Sequence, residues 1–315
     1  GYVEGPRMAV GGNALLTSVG GTAGRLIPDE GLRGYAQVVQ NKDEIIKEVR
    51  RQIKNGVDWI KVHVTGLIPN QKEEGEISVW SFDELKLVCD LAHDLGTPVV
   101  GHVRNAKGVK DSIKAGMDFI LHATFMDEEA IDLVCETKTP IAPSFTFQAN
   151  LADFGDAIGA SDDYRQIFKK EIDDNAEIFN KIHEAGVPLI CGSESGFSIT
   201  PYGEWHHREL EVFVKDIGMT NLEAITCATK NASKSVKMEN KVGTLEEGML
   251  ADLLIVDGDP LKDITVLGDK SRLSHIFQNG KEVKRDQEIK EITPPQGWRL
   301  SPFSDGILTQ ELAKK

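Results

Sequence analysis

The chain has 315 residues, 40% of them apolar, and a net charge of −14 at neutral pH. That length suits one large domain, or a large domain with a small one. The acidity argues against nucleic acid, whose phosphates demand clustered Lys and Arg, and against anionic membrane surfaces. No apolar run approaches the roughly 18–20 residues that span a bilayer.

In chain order, Met8-Ala9-Val10 reads as a first strand. Asp43 to Lys54 places Ile45, Ile46, Val49 and Ile53 at helical spacing, and Gly56 is a natural stop. Asp58 to Val64 follows as a strand. Ser81 with Glu84 three residues on is a helix-capping signature; the helix runs to His93 and Gly96 ends it. Pro98 to His102 is the next strand. The rhythm then repeats: helix 106–115 and strand 118–122, helix 127–136 and strand 140–144, long helix 165–184 and strand 188–191. Alternation of this kind requires parallel strands with helical crossovers. Beyond about residue 237 the pattern changes to short strands, with Asn279-Gly280 as a hairpin turn. The tail from 286 is charged, with a helical stretch near Thr309–Ala313. Four well-separated cysteines, Cys89, Cys135, Cys191 and Cys227, form no CxxC pair, so buried free thiols are expected. The chain opens on Gly with no signal-like stretch after it. We expect it to begin part-way through a longer protein, and we expect a cytoplasmic location.

In parallel α/β folds, chemistry gathers at the C-terminal ends of the strands. His102 and His122 end successive strands there, Lys61 places a charge inside an apolar run, and Glu194 follows the last strand in Gly192-Ser193-Glu194-Ser195-Gly196. A lone strand-end histidine is more often a hydrogen-bonded core residue, and a lone lysine more often a snorkelling one. Together they suit a metal-assisted hydrolysis. Neutral imidazoles hold zinc-like ions, the ion acidifies a water, and a carboxylate moves its proton. Lysine becomes a ligand when CO2 converts it to a carbamate. His63 shares a strand face with Lys61 and is a candidate substrate contact or packed core residue. Arg104 is a candidate partner for a substrate carboxylate, or half of an ordinary ion pair. Tyr202 and His206, in the stretch after Glu194, are further substrate-contact candidates. His206-His207 reads better as a helix entry than as a metal pair, because neighbouring helical residues diverge by about 100°. The polar loop Gly66 to Trp80 has the length of a lid.

These residues resemble the amidohydrolase superfamily in its imidazolonepropionase-related branch. The resemblance covers residues 5–285. It rests on Gly5-Pro6-Arg7, Trp59-Ile60-Lys61-Val62 with Thr65-Gly66, Gly101-His102-Val103, Leu121-His122-Ala123, Gly192 to Gly196, Gly218-Met219-Thr220, and Val242 to Gly248 with Ala251-Asp252-Leu253. The resemblance implies a (β/α)8 TIM-like barrel beside a small β-sandwich. It places Lys61 at the carboxylated lysine, His102 and His122 at two metal-binding histidines, and Glu194 where an aspartate is usual. It also implies one or two divalent ions, zinc first among them. No His-x-His pair occurs in the chain, so the barrel is expected to lack its first two strands. The domains expected are the barrel (1–237), the C-terminal strands of the sandwich (238–285) and a tail (286–315). The expected function is metal-dependent hydrolysis of a small amide-type substrate by a protein free to form homo-oligomers. The alternative is a truncated or non-catalytic binding protein on the same scaffold.

Overall fold

Parallel strands alternating with amphipathic helices build the first of two compact units (Gly1–Pro143, Lys181–Ile190 and Ser235–Lys237). The computed structural model describes residues 5–20, 27–32, 34–66, 76–285 and 308–314. Among the described residues, eight short strands lie in this unit: β1 Ala14–Leu16, β2 Ala36–Val38, β3 Ile60–His63, β4 Thr65–Gly66, β5 Ile77–Ser78, β6 Val99–Val103, β7 Phe119–His122 and β8 Ile141–Ala142. Six of them form one parallel sheet in the order β2-β1-β3-β6-β7-β8. Helices α1 Lys42–Lys54, α2 Phe82–Asp94, α3 Ala106–Ala115 and α4 Glu128–Thr137 connect the later strands.

The helix starts follow local chemistry. Asn41, Ser81, Asn105 and Asp127 each accept a hydrogen bond from a backbone N–H of the first turn, and Ser81 with Glu84 forms a full capping box. Gly56, Gly96 and Gly116 stand at the helix ends with φ of 81°, 76° and 100°. Ser81→Ala is expected to destabilise the protein by about 1 kcal/mol, read as a lower urea midpoint with an unchanged slope.

Three expectations change. Met8-Ala9-Val10 is not a strand: Met8 and Val10 are exposed, and only Gly11 bridges to Trp59. The strand forms instead at Ala14-Leu15-Leu16, all three buried, where apolar burial rewards ordering. It packs with β2 in a cluster of Ala14, Leu16, Ala36 and Val38. The strand expected at 188–191 is reduced to a parallel bridge between Leu189 and Ile141. The strand expected at 140–144 stops at Ala142. Pro143 has no N–H to give a ladder, and Ser144 turns the chain at a φ of 56°.

The second unit (Ser144–Asn180, Cys191–Lys234, Met238–Lys315) contains α5 Thr146–Phe154, most of α6 Asp162–Glu184, and α7 Arg208–Lys215, α8 Asn221–Thr226 and α9 Ala232–Ser235, the last of these ending in the first unit. A cluster of Leu151, Ile158, Ile199, Trp205 and Leu308 forms a core there, and Trp205 Nε1 donates to the Leu308 carbonyl at 2.7 Å. Strands β9 Leu253–Val256, β10 Leu273–Gln278 and β11 Lys281–Glu282 form an antiparallel sheet, and α10 is Gln310–Ala313. Asn279 and Gly280, with φ of 51° and 75°, make the expected hairpin turn. Residues 286–307 of the expected tail lie outside the described residues. The four cysteines are free; Cys89 and Cys227 are buried, Cys135 and Cys191 half-buried. No described helix is long and apolar enough to cross a membrane.

Candidate metal centre and strand-end loops

Register aligns the first two histidines. In the β3–β6 ladder Lys61 pairs with Val100 and His63 with His102, and paired residues of parallel strands share a face. The His63 and His102 rings accordingly stack, with centroids 4.8 Å apart and planes 11° apart. His122 arrives differently. In the β6–β7 ladder Leu121 pairs with His102, so regular alternation would send His122 to the opposite face. Its backbone instead takes a left-handed φ of 70°, and its ring meets His102 edge-on at 4.6 Å. His122 Nδ1 lies 3.3 Å from the Pro143 carbonyl. Donation there leaves Nε2 as the lone-pair nitrogen.

All three rings are buried. Burial is the main cause holding each of them well below the usual imidazole pKa, and the charge of Lys61 acts in the same direction on every one. Lys61 itself is half-buried. The set is therefore three neutral imidazoles facing one lysine charge.

A carboxylate that sequence reasoning passed over completes the cluster. Glu76 is buried, with Oε2 2.8 Å from His102 Nε2 and accepting from Thr65 Oγ1 at 2.8 Å. Arg104 Nε stands 3.9 Å from Glu76 Oε1, and its backbone N–H donates to Thr65 Oγ1. Arg104 thus has Glu76 as an ion-pair partner. Glu76 lies at the far foot of the loop expected to be a lid. Residues 67–75 of that loop lie outside the described residues, but its feet, β4 and β5, pair antiparallel. A single Glu in a polar loop gives no sequence signal for such a role.

Among the described residues, no three His, Cys, Asp or Glu side chains stand ready as a metal-ligand group. The donor chemistry still fits a divalent cation. His63 Nδ1 is a buried nitrogen with no hydrogen-bond partner, the imidazoles are neutral, and Lys61 adds a donor of a type outside that group.

In the second unit, Cys191 N donates to the Cys227 carbonyl, and the chain then enters the loop of Glu194. Glu194 has a left-handed φ of 48°, and its carbonyl accepts from Thr200 Oγ1 at 2.8 Å. Ser193 Oγ is 2.9 Å from both Ser195 Oγ and His206 Nδ1. Tyr202 is 80% exposed. A Cβ added at Gly196 would lie 3.0 Å from its phenol oxygen, and the φ of 124° there favours glycine. His206 precedes α7, as the helix-entry reading expects.

Glu209 of α7 is a second carboxylate without a sequence signal. It is fully buried and accepts from Phe145 N–H, Thr146 N–H and Thr146 Oγ1 at 2.9, 2.7 and 2.8 Å, anchoring the start of α5. Burial pushes its pKa up to about 7 despite those three donors, and Glu194 adds to the rise. Glu209→Ala would orphan three buried donors, and a loss of about 2–4 kcal/mol is expected.

The buried groups also set a pH dependence. Between about pH 4.5 and 6.5, the unfolded chain protonates three histidines that the folded chain keeps neutral. Over the same window Glu209 is the one of these four groups that the folded chain protonates in excess. The unfolded state therefore binds more protons, and stability from these four groups falls as pH drops through 6.5. Above 6.5 only Glu209 remains, and its raised pKa makes stability decline as pH rises through about 7. Urea midpoints measured on metal-free protein should peak between these limits. A midpoint still rising steadily from pH 6.5 to 8 would contradict the assignment.

A parallel α/β sheet with buried imidazoles at its strand ends belongs to the TIM-barrel-like α/β class. The sequence model of the amidohydrolase family matches residues 3–283, and the chain belongs to that family. It is 28% identical over 301 residues to ochratoxinase of Aspergillus niger, covering 90% of this chain and 61% of that protein. It is 33% identical over 100 residues to imidazolonepropionase of Thermoplasma volcanium, covering 32% of this chain and 24% of that one. Among solved structures it resembles a Xaa-Pro dipeptidase with bound methionine in its active site. There the identity is 29%, the TM-score 0.75, and the coverage 90% of this chain and 70% of the other. The chain spans about 61% of the length of ochratoxinase.

Proposed function

We propose that the protein hydrolyses a carbon–nitrogen bond of amide type in a small molecule, using a divalent cation held by Lys61, His102 and His122. The observation that carries this reading is the buried trio of neutral imidazoles facing Lys61 at the C-terminal ends of parallel strands. Relatives named as an ochratoxinase and a Xaa-Pro dipeptidase support the bond class. Zinc suits the imidazole donors, as one ion or two. When bound, such an ion supplies the Lewis acidity that lowers the pKa of water to about 7. The chain's own residues do the rest. Lys61, as a carbamate, replaces a positive charge with an anionic donor. The Pro143 carbonyl fixes the His122 tautomer. Glu76 orients His102. Glu194 moves the proton to the leaving nitrogen. Arg104, His63, Tyr202 and His206 are the proposed substrate contacts.

The test is elemental analysis after incubation with zinc and bicarbonate, alongside turnover of a panel of Xaa-Pro dipeptides, N-acyl amino acids and aryl ureas. Stoichiometric metal with turnover of a panel member is expected. Absence of bound metal under these conditions overturns the reading. It would favour the second one, a non-catalytic binding protein, which draws on the Glu76 bond to His102 Nε2 and on the absence of a His-x-His pair from this sequence.

A further inference from the structure

The hydroxyls that flank Glu194 are wired to His206 in one direction. The Gly203 N–H donates to His206 Nε2 at 3.2 Å, so that nitrogen is an acceptor. A neutral His206 must then carry its proton on Nδ1. Desolvation of one side of the exposed ring, helped by the charge of Lys270, lowers the His206 pKa and favours that neutral ring. Nδ1 lies 2.9 Å from Ser193 Oγ and 3.5 Å from Ser195 Oγ, and the two hydroxyl oxygens are 2.9 Å apart.

The three groups hold three hydrogens: Nδ1–H and two O–H. The chain His206–Ser193–Ser195 has two links. Nδ1–H fills the first and one hydroxyl fills the second, whichever serine donates. One O–H is always left over, and it has no acceptor among the described residues. The same count removes a serine-nucleophile reading, since the His206 nitrogen beside Ser193 is a donor and has no lone pair to take its proton.

We propose that Ser193 and Ser195 form a hydroxyl relay, polarised by His206, whose surplus O–H donates to an acceptor oxygen of the substrate beside Glu194. His206 is then a positioning residue, and its contact with the substrate is made through the two serines. The loop is built to hold the pair still. Gly196 N–H donates to the Thr200 carbonyl, and Thr200 Oγ1 donates to the Glu194 carbonyl, which pins both sides of Ser195. This inference rests on the assignment of Glu194 as the proton-transfer group.

Two measurements on the purified protein test it. Nitrogen-15 NMR of the His206 ring should show a neutral Nδ1–H tautomer at pH 7.5; an Nε2–H tautomer overturns the relay. Titration with N-acetylphenylalanine, whose carbonyl and carboxylate offer acceptor oxygens, should move the Ser193 and Ser195 amide signals. The Ser193→Ala/Ser195→Ala double variant should bind this probe about ten-fold more weakly, the scale of one neutral hydrogen bond. Ser195→Thr, which keeps the hydroxyl, should restore most of the affinity. Equal affinity in the wild type and the double variant, or no binding by the wild type, overturns the proposal. Glu194→Gln should leave tautomer and probe binding intact while removing turnover. Failure of the relay is thereby separate from failure of the Glu194 assignment.

Discussion

Lys61→Ala is expected to lower the rate by about 10³-fold and to remove most of the bound metal. The rate figure follows from the several kcal/mol that a metal ion contributes to charge stabilisation. As an ammonium, Lys61 sits among three imidazoles whose protonation it already opposes. It would oppose a divalent ion more strongly. Carbamate formation turns that repulsive +1 into an attractive −1 without changing the strand. Lys61→Glu, which supplies a shorter fixed carboxylate, should recover part of the metal. Carbon-13 NMR with labelled bicarbonate should show a carbamate signal in the wild type that Lys61→Ala lacks. Full activity in Lys61→Ala would remove this residue from the site.

Glu194→Gln is the second large effect. General acid–base groups contribute about 10²–10⁴-fold, so kcat should fall within that range while KM and metal content stay within a few-fold. The amide keeps the size of the side chain and its backbone setting but cannot carry the proton. Glu194→Asp should fall less, since it retains a carboxylate. A loss expressed only in KM would mean that Glu194 binds substrate without moving a proton.

The alternation of helix and strand was legible because its signals are local. The Ser81–Glu84 capping box, the Asn279-Gly280 turn and the 106–115 helix need only neighbouring residues, and each forms where expected. Strands β1 and β2 were not legible. Three residues each are too few to show a period, and what makes Ala14–Leu16 a strand is burial against β2 and β3. Helix α5 was also missed, because its start is fixed by Glu209 63 to 64 residues away and not by a cap of its own. The same contrast runs through the candidate site. Strand-end position exposed His102 and His122 to sequence reasoning, and a charge inside an apolar run exposed Lys61. Glu76 reaches His102 across 26 residues, a partnership visible only once the chain is folded.

The left-handed backbone at His122 does not stand alone. Ala123 and Phe125 share it, with φ of 53° and 59°, and each such residue other than glycine carries about 1–2 kcal/mol of strain. Evolution toward stability and evolution toward chemistry should therefore pull this corner in opposite directions. A library of variants selected only for heat resistance should accumulate glycine at 123, where the buried alanine offers little side chain to lose. The same library selected for turnover should keep alanine there, because a freer hinge would let the His122 ring drift from its neighbour.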